Sequence, residues 1–207
     1  MRINLIIVRH FESSRVNMKT QQRIDSAKAL FIKLGESGEW ERECISSGTL
    51  RLGYHTVPHE HCLSADWKMA REAFPSSADT GSVTRHLNQV QQFYEEPEET
   101  LWITFFSDRL WWCFSTPEII QLSDGSKTRK VIGSWSDTDI NGIPLLKGCL
   151  SGKLLAVQGF QGTICSVKER EYLLHKINGT SEPHVAEAQL AIEKLVMAVI
   201  PIIRNLL

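Results

Sequence analysis

Apolar positions fall into short blocks rather than one long period. Ile3, Leu5, Ile6, Ile7 and Val8 predict a strand over Arg2–His10, and Ala29–Leu34 reads as a second, separated from it by a polar stretch, Glu12 to Asp25. A Gly35-Glu36-Ser37-Gly38 turn leads into a short helix, Glu39–Ile45, and Ser47-Gly48 returns the chain to a strand at Thr49–Tyr54. His55–His61 reads as a loop. Trp67, Ala70 and Phe74 recur at helical spacing after Ser64-Ala65-Asp66, and Val83, Leu87, Val90 and Tyr94 mark a longer helix from about Ser82 to Tyr94.

The middle of the chain is β-rich. Leu101–Phe106 and Leu110–Ser115 form a hairpin about Ser107-Asp108-Arg109, and further strands are expected at Lys130–Gly133, Lys153–Val157 and Thr163–Val167. From Glu169 the pattern turns helical. Ala188, Leu190, Ala191, Leu195, Ala198, Val199, Ile202, Ile203 and Leu206 draw an apolar stripe that Pro201 kinks or ends. Strands interleaved irregularly with short helices predict an α+β domain on a curled sheet or small barrel rather than a regular βαβ array.

Composition adds little to this. A chain of 207 residues, 42% hydrophobic and 23% charged, suits one domain with a helical appendage. No apolar run approaches a membrane span and Ile3–Val8 is too short for a secretory signal, so a cytoplasmic protein is expected. Five scattered cysteines without a CxxC pair point to reduced thiols. A net charge of −1 excludes bulk electrostatic coating of nucleic acid but allows a local basic patch.

The candidate chemistry is sparse. Phosphate-binding glycine loops, HExxH and GxSxG are absent, and His55, His59, His61 and Cys62 read as a solvated loop, so neither a cofactor nor a metal is expected. Val8-Arg9-His10-Phe11-Glu12 after an apolar strand resembles the opening motif of histidine phosphatases and phosphoglycerate mutases, which would make His10 a phosphoryl acceptor. Phe11 stands where that family has glycine, Lys68-Met69 where its second motif has Arg-Ala, and His175 and His184 sit in non-matching contexts.

The aromatic residues offer more. Trp102, Trp111 and Trp112 lie on predicted strands and read as core, whereas Trp135, between Gly133-Ser134 and Ser136-Asp137, reads as a loop residue able to stack on a flat ligand. Phe31-Ile32-Lys33 with its Gly-Glu turn, Gly53-Tyr54, Ala70–Phe74, Trp112-Cys113-Phe114 and Gly133-Ser134-Trp135-Ser136-Asp137 together resemble the YTH and EVE branch of the PUA-like superfamily, over about residues 29–167. Residues 1–28 then form an N-terminal strand and polar segment, and residues 168–207 a helical extension.

That resemblance implies a reader that flips a modified base into an aromatic cage and catalyses nothing. Trp135 and Tyr54 are its walls, and Lys33, Leu34, Ser134, Ser136 and Asp137 read the base's polar edge. Thr84, Arg85, His86 and Asn88 near a helix start, and Lys127, Arg129 and Lys130, are the candidates for backbone contact. The C-terminal region is similar to bacterial proteins joining such a reader to an Mrr-like PD-(D/E)xK nuclease. A nuclease domain or subunit, DNA before RNA, and a second copy paired through the last helix are the implied partners.

Overall fold

The computed structural model describes residues 23–75 and 77–180. The predicted N-terminal strand, with Arg9 and His10, and the apolar stripe beyond residue 184 lie outside these residues.

Among the described residues two antiparallel-rich sheets and six α-helices make a mixed α+β domain rather than a closed barrel. The first sheet has the order β4-β3-β1-β7, built from β1 (Ala29–Ile32), β3 (Leu101–Phe106), β4 (Arg109–Cys113) and β7 (Ile164–Ser166). The second has the order β2-β6-β5, from β2 (Thr49–Leu52), β5 (Ser115–Gln121) and β6 (Lys127–Val131). The helices are α1 (Glu41–Ser47), α2 (His59–Leu63), α3 (Trp67–Glu72), α4 (Thr80–Glu95), α5 (Gly152–Leu155) and α6 (Arg170–Ile177).

β1 is apolar throughout because it is covered on both faces. Side chains alternate across a strand, so Leu30 and Ile32 enter one core while Ala29 and Phe31 enter the other. The first core holds β1, β2 and the buried face of α4 (Leu87, Val90, Phe93) together with Trp102. The second packs Leu101, Ile103 and Phe105 of β3 against Leu173, Leu174 and Ile177 of α6, so α6 shares the domain's core. Asn178 ties the two ends of the described chain, its amide accepting from Ile24 N–H and donating to Ile24 C=O, both at 2.8 Å.

β1 and β3 run parallel, pairing Leu30 with Trp102. Their carboxyl ends therefore emerge together, bringing Lys33 beside Phe105. Asp79 caps the long helix α4 through Ser82 N–H at 2.8 Å, and Asp66 caps α3 through Met69 N–H at 3.1 Å.

Three predicted segments differ. Lys153–Val157 is helical, not a strand: Ser151 accepts from Leu154 N–H at 3.2 Å as an N-cap, and a 3-10 turn over Ala156–Gly159 follows. The end of the expected His55–His61 loop is helical, as α2 begins at His59, and Cys62 is that helix's buried residue. β5 arises where no strand was predicted, its alternation interrupted by an irregularity between Ser115 and Ile119. Among the described residues no helix is long and apolar enough to cross a membrane.

Candidate functional site

The carboxyl ends of β1 and β2 open into a cleft of about 600 Å³. β1 contributes Phe31 and Lys33, and β2 runs out into Gly53, Tyr54 and His55. The Gly35–Glu41 turn with Trp40, His86 of α4, and Gln158, Gln161, Gly162 and Thr163 complete the lining. Flat rings with polar groups between them therefore surround one space.

Each wall is locally fixed. Trp40 stands immediately before α1, its backbone N–H donating to Leu34 C=O at 3.0 Å, and the Arg51 guanidinium lies 4.3 Å from the indole centroid. Gly35 has φ 86° and ψ 174°, a region open essentially to glycine, and an added Cβ would sit 2.6 Å from Glu39 Cγ and 3.0 Å from Trp40 Cδ2. Gly35→Ala is expected to cost about 1–3 kcal/mol of stability and to push the indole from its place. Urea unfolding monitored by tryptophan fluorescence measures both; an unchanged midpoint and spectrum would contradict the assignment.

Tyr54 adopts φ 49°, unusual for a bulky residue. Its carbonyl accepts from Lys127 Nζ at 2.7 Å and from Val57 N–H at 3.0 Å, which holds the turn, and its hydroxyl is 2.8 Å from His86 Nδ1. Burial pushes the Tyr54 phenol above its usual range, with a hydrogen bond from Thr163 pulling the other way. Lys33 Nζ donates to Phe160 C=O at 3.1 Å, tying the far loop across the cleft. Burial likewise raises the Glu41 carboxyl at the rim, with the Lys147 charge pulling the other way.

Of the residues expected at the base site, Tyr54 and Lys33 line this cleft and the others do not. Trp135 is 5% exposed and belongs to the first core, its indole N–H donating to Thr49 C=O at 3.0 Å. Ser136 and Trp112 exchange both backbone hydrogen bonds, at 2.9 and 2.8 Å, so the expected loop continues the sheet beyond β4 and carries Trp135 inward. Ser134 is exposed but away from the cleft, Asp137 is ion-paired with Arg109, and Leu34 is fully buried. Trp135 is therefore a core residue and does not face Tyr54 across a pocket.

The basic candidates divide in the same way. Lys127 and Arg129 are 0% and 1% exposed, facing inward on alternate positions of β6, so neither reaches a phosphate; Lys130, between Arg129 and Val131, faces out. Thr84, Arg85 and Asn88 are exposed on α4, Thr84 Oγ1 returning a bond to Thr80 C=O at 2.9 Å, and His86 turns into the cleft.

No family model, curated protein or solved structure matches this chain. The site is thus read from its own chemistry. Trp40 was not among the residues singled out from the sequence; the signal was there in two glycines, Gly35 and Gly38, closing a turn after a buried strand to set an aromatic residue at a helix start.

Proposed function

We propose that this chain is a nucleic-acid-binding reader that takes a flipped, modified base into the cleft between Trp40 and Tyr54, without catalysing a reaction itself. The observation that carries the reading is the convergence of Trp40, Tyr54 and His86 with Lys33, Gln161 and Thr163 around one opening. An unstacked base offers two π-faces and a polar rim, and needs aromatic surfaces and hydrogen-bonding groups together. A methyl or hydroxymethyl group on the base adds dispersion contacts and displaces water from such a cleft.

Two further points support it. The α+β architecture with a central buried strand is compatible with a PUA-like domain, and Lys33 and Tyr54 stand at the positions where the YTH/EVE resemblance puts base-reading residues. The cage walls are Trp40 and Tyr54 in this reading, replacing Trp135. A module that binds a modified base and does no chemistry fits the specificity component of a modification-dependent restriction system acting on DNA, with a nuclease domain or subunit as partner.

Fluorescence anisotropy with oligodeoxynucleotides carrying 5-methylcytosine, 5-hydroxymethylcytosine, N6-methyladenine or no modification tests the proposal. One modified oligonucleotide is expected to bind best, and Trp40→Ala to weaken it by about 1–3 kcal/mol, roughly five- to 150-fold, the value of one stacked base. Equal affinity for all four, unchanged by Trp40→Ala, would overturn it.

A further inference from the structure

A second cavity, of about 640 Å³, lies against the first and shares His86, Gln161 and Gly162 with it. The partition between them is one pass of chain. Gln89, buried on α4, holds that pass in place: its Oε1 accepts from Thr163 N–H at 2.5 Å and Ile164 N–H at 3.0 Å, and its Nε2 donates to Arg85 C=O at 3.0 Å. Gly162 is closely packed there: an added Cβ would lie 2.5 Å from both Gln89 Oε1 and Phe160 Cε1, so one of those side chains would have to move. The sequence thus keeps two adjoining cavities open on either side of a thin, pinned loop.

The lining of the second cavity has its own chemistry. Arg85, Asn88 and Gln92 recur at helical spacing on one face of α4, and Phe160, Ile164 and Cys165 line the other side. Phe160 is half-buried, and the exposed Arg85 guanidinium makes no ion pair among the described residues. An aromatic ring, two amides and an uncommitted cation suit a base with its phosphate, as the first cleft suits a base alone.

We propose that the second cavity is a subsite for the nucleotide adjacent to the flipped base, its base against Phe160 and the linking phosphate at Arg85. The inference rests on the reading of the first cleft as a base site, and makes the protein a reader of two consecutive nucleotides in one unpaired strand. Neighbouring nucleotides are covalently linked, and the cavities are contiguous through His86, Gln161 and Gly162, so one strand reaches both.

Calorimetry with the whole chain separates this subsite from the first. The probes are the free nucleosides of 5-methylcytosine, 5-hydroxymethylcytosine and N6-methyladenine, and dinucleotides bearing each at the 5′ or the 3′ position. One dinucleotide order is expected to bind about five- to a hundredfold tighter than its nucleoside. Phe160→Leu and Arg85→Ala should each remove most of that gain while leaving nucleoside affinity within twofold. Trp40→Ala should weaken both ligands alike. A dinucleotide gain that survives both Phe160→Leu and Arg85→Ala, or no gain in either order, overturns the subsite and leaves the base site standing. Absence of nucleoside and dinucleotide binding, or binding indifferent to Trp40→Ala, overturns the base site and this inference with it.

Discussion

Arg129→Ala is expected to lower the unfolding free energy by about 3–5 kcal/mol, because three buried carbonyls lose their donor at roughly 1–3 kcal/mol each, less what relaxation recovers. The guanidinium closes three otherwise open carbonyls: Nε donates to Thr116 at 2.8 Å, Nη1 to Phe93 at 3.0 Å and Nη2 to Glu96 at 2.8 Å. Phe93 and Glu96 mark the end of α4, where helical carbonyls lack intrahelical donors, and Thr116 falls at the irregularity in β5. The Arg129 guanidinium carbon also lies 5.7 Å from the centroid of the Trp102 indole, whose own N–H has no partner among the described residues. Burial lowers the Arg129 pKa to about 10, still well above neutrality, so the charge is retained.

Lysine will not replace it. A single ammonium lacks the fork that spans three acceptors on two elements, so Arg129→Lys should recover less than half of the loss. Urea denaturation with linear extrapolation measures both variants, and a common slope shows that the same folded state is compared. A loss below about 1 kcal/mol for Arg129→Ala would mean that the carbonyls find other donors.

The same residue shows what the sequence conceals. β6 alternates inward and outward like any strand, but its inward positions are Lys127, Arg129 and Val131, so two of the three read as solvent-facing. The carbonyls that demand those cations belong to α4, β5 and the turn after β2, distant in sequence and brought close only by the fold. By contrast β3 and β4 were legible from apolar runs of strand length about a short connection, read as Ser107-Asp108-Arg109 and one residue shorter in the structure, where β4 begins at Arg109. Ser107 and Asp108 both take positive φ, 48° and 61°, as a tight hairpin turn of matching twist requires.

Trp135 failed for a related reason. Small polar neighbours predict a loop, but Ser136 pairs with Trp112 and extends the sheet, so the indole turns into the core. Trp40 was obscured oppositely, by the glycines and glutamates that fill the turn before it. Tyr54 and Lys33 were legible through the resemblance, and both stand within two residues of a strand end, where the chain runs out into the cleft. Leu154, Leu155 and Val157 carry the apolar content of a strand, but Ser151 caps a helical turn at Leu154 N–H and the segment coils instead.

Lys127 joins the buried cations to the candidate site, and Lys127→Ala is expected to cost about 2–4 kcal/mol through lost hydrogen bonds and a cavity. Its ammonium is fully buried, donating to Tyr54 C=O at 2.7 Å and Val57 C=O at 2.8 Å, and burial holds its pKa below the usual ammonium range. One of those carbonyls belongs to the residue with φ 49° that presents a ring to the cleft. Holding an aromatic residue in that conformation costs on the order of 1–3 kcal/mol, which the lysine and the Val57 amide offset. Lys127→Met restores most of the lost volume but neither hydrogen bond, so it should regain part of the stability while leaving Tyr54 free to relax. Both variants, assayed where they remain folded, are therefore expected to bind the preferred modified oligonucleotide about tenfold more weakly, as pre-organisation of one wall is lost. Arg129→Ala, destabilised at least as much but bonded to Thr116, Phe93 and Glu96 rather than to that turn, should bind normally under the same conditions. Full affinity in folded Lys127→Met would show that Tyr54 keeps its conformation unaided; a loss shared equally by Arg129→Ala would reduce the effect to general stability.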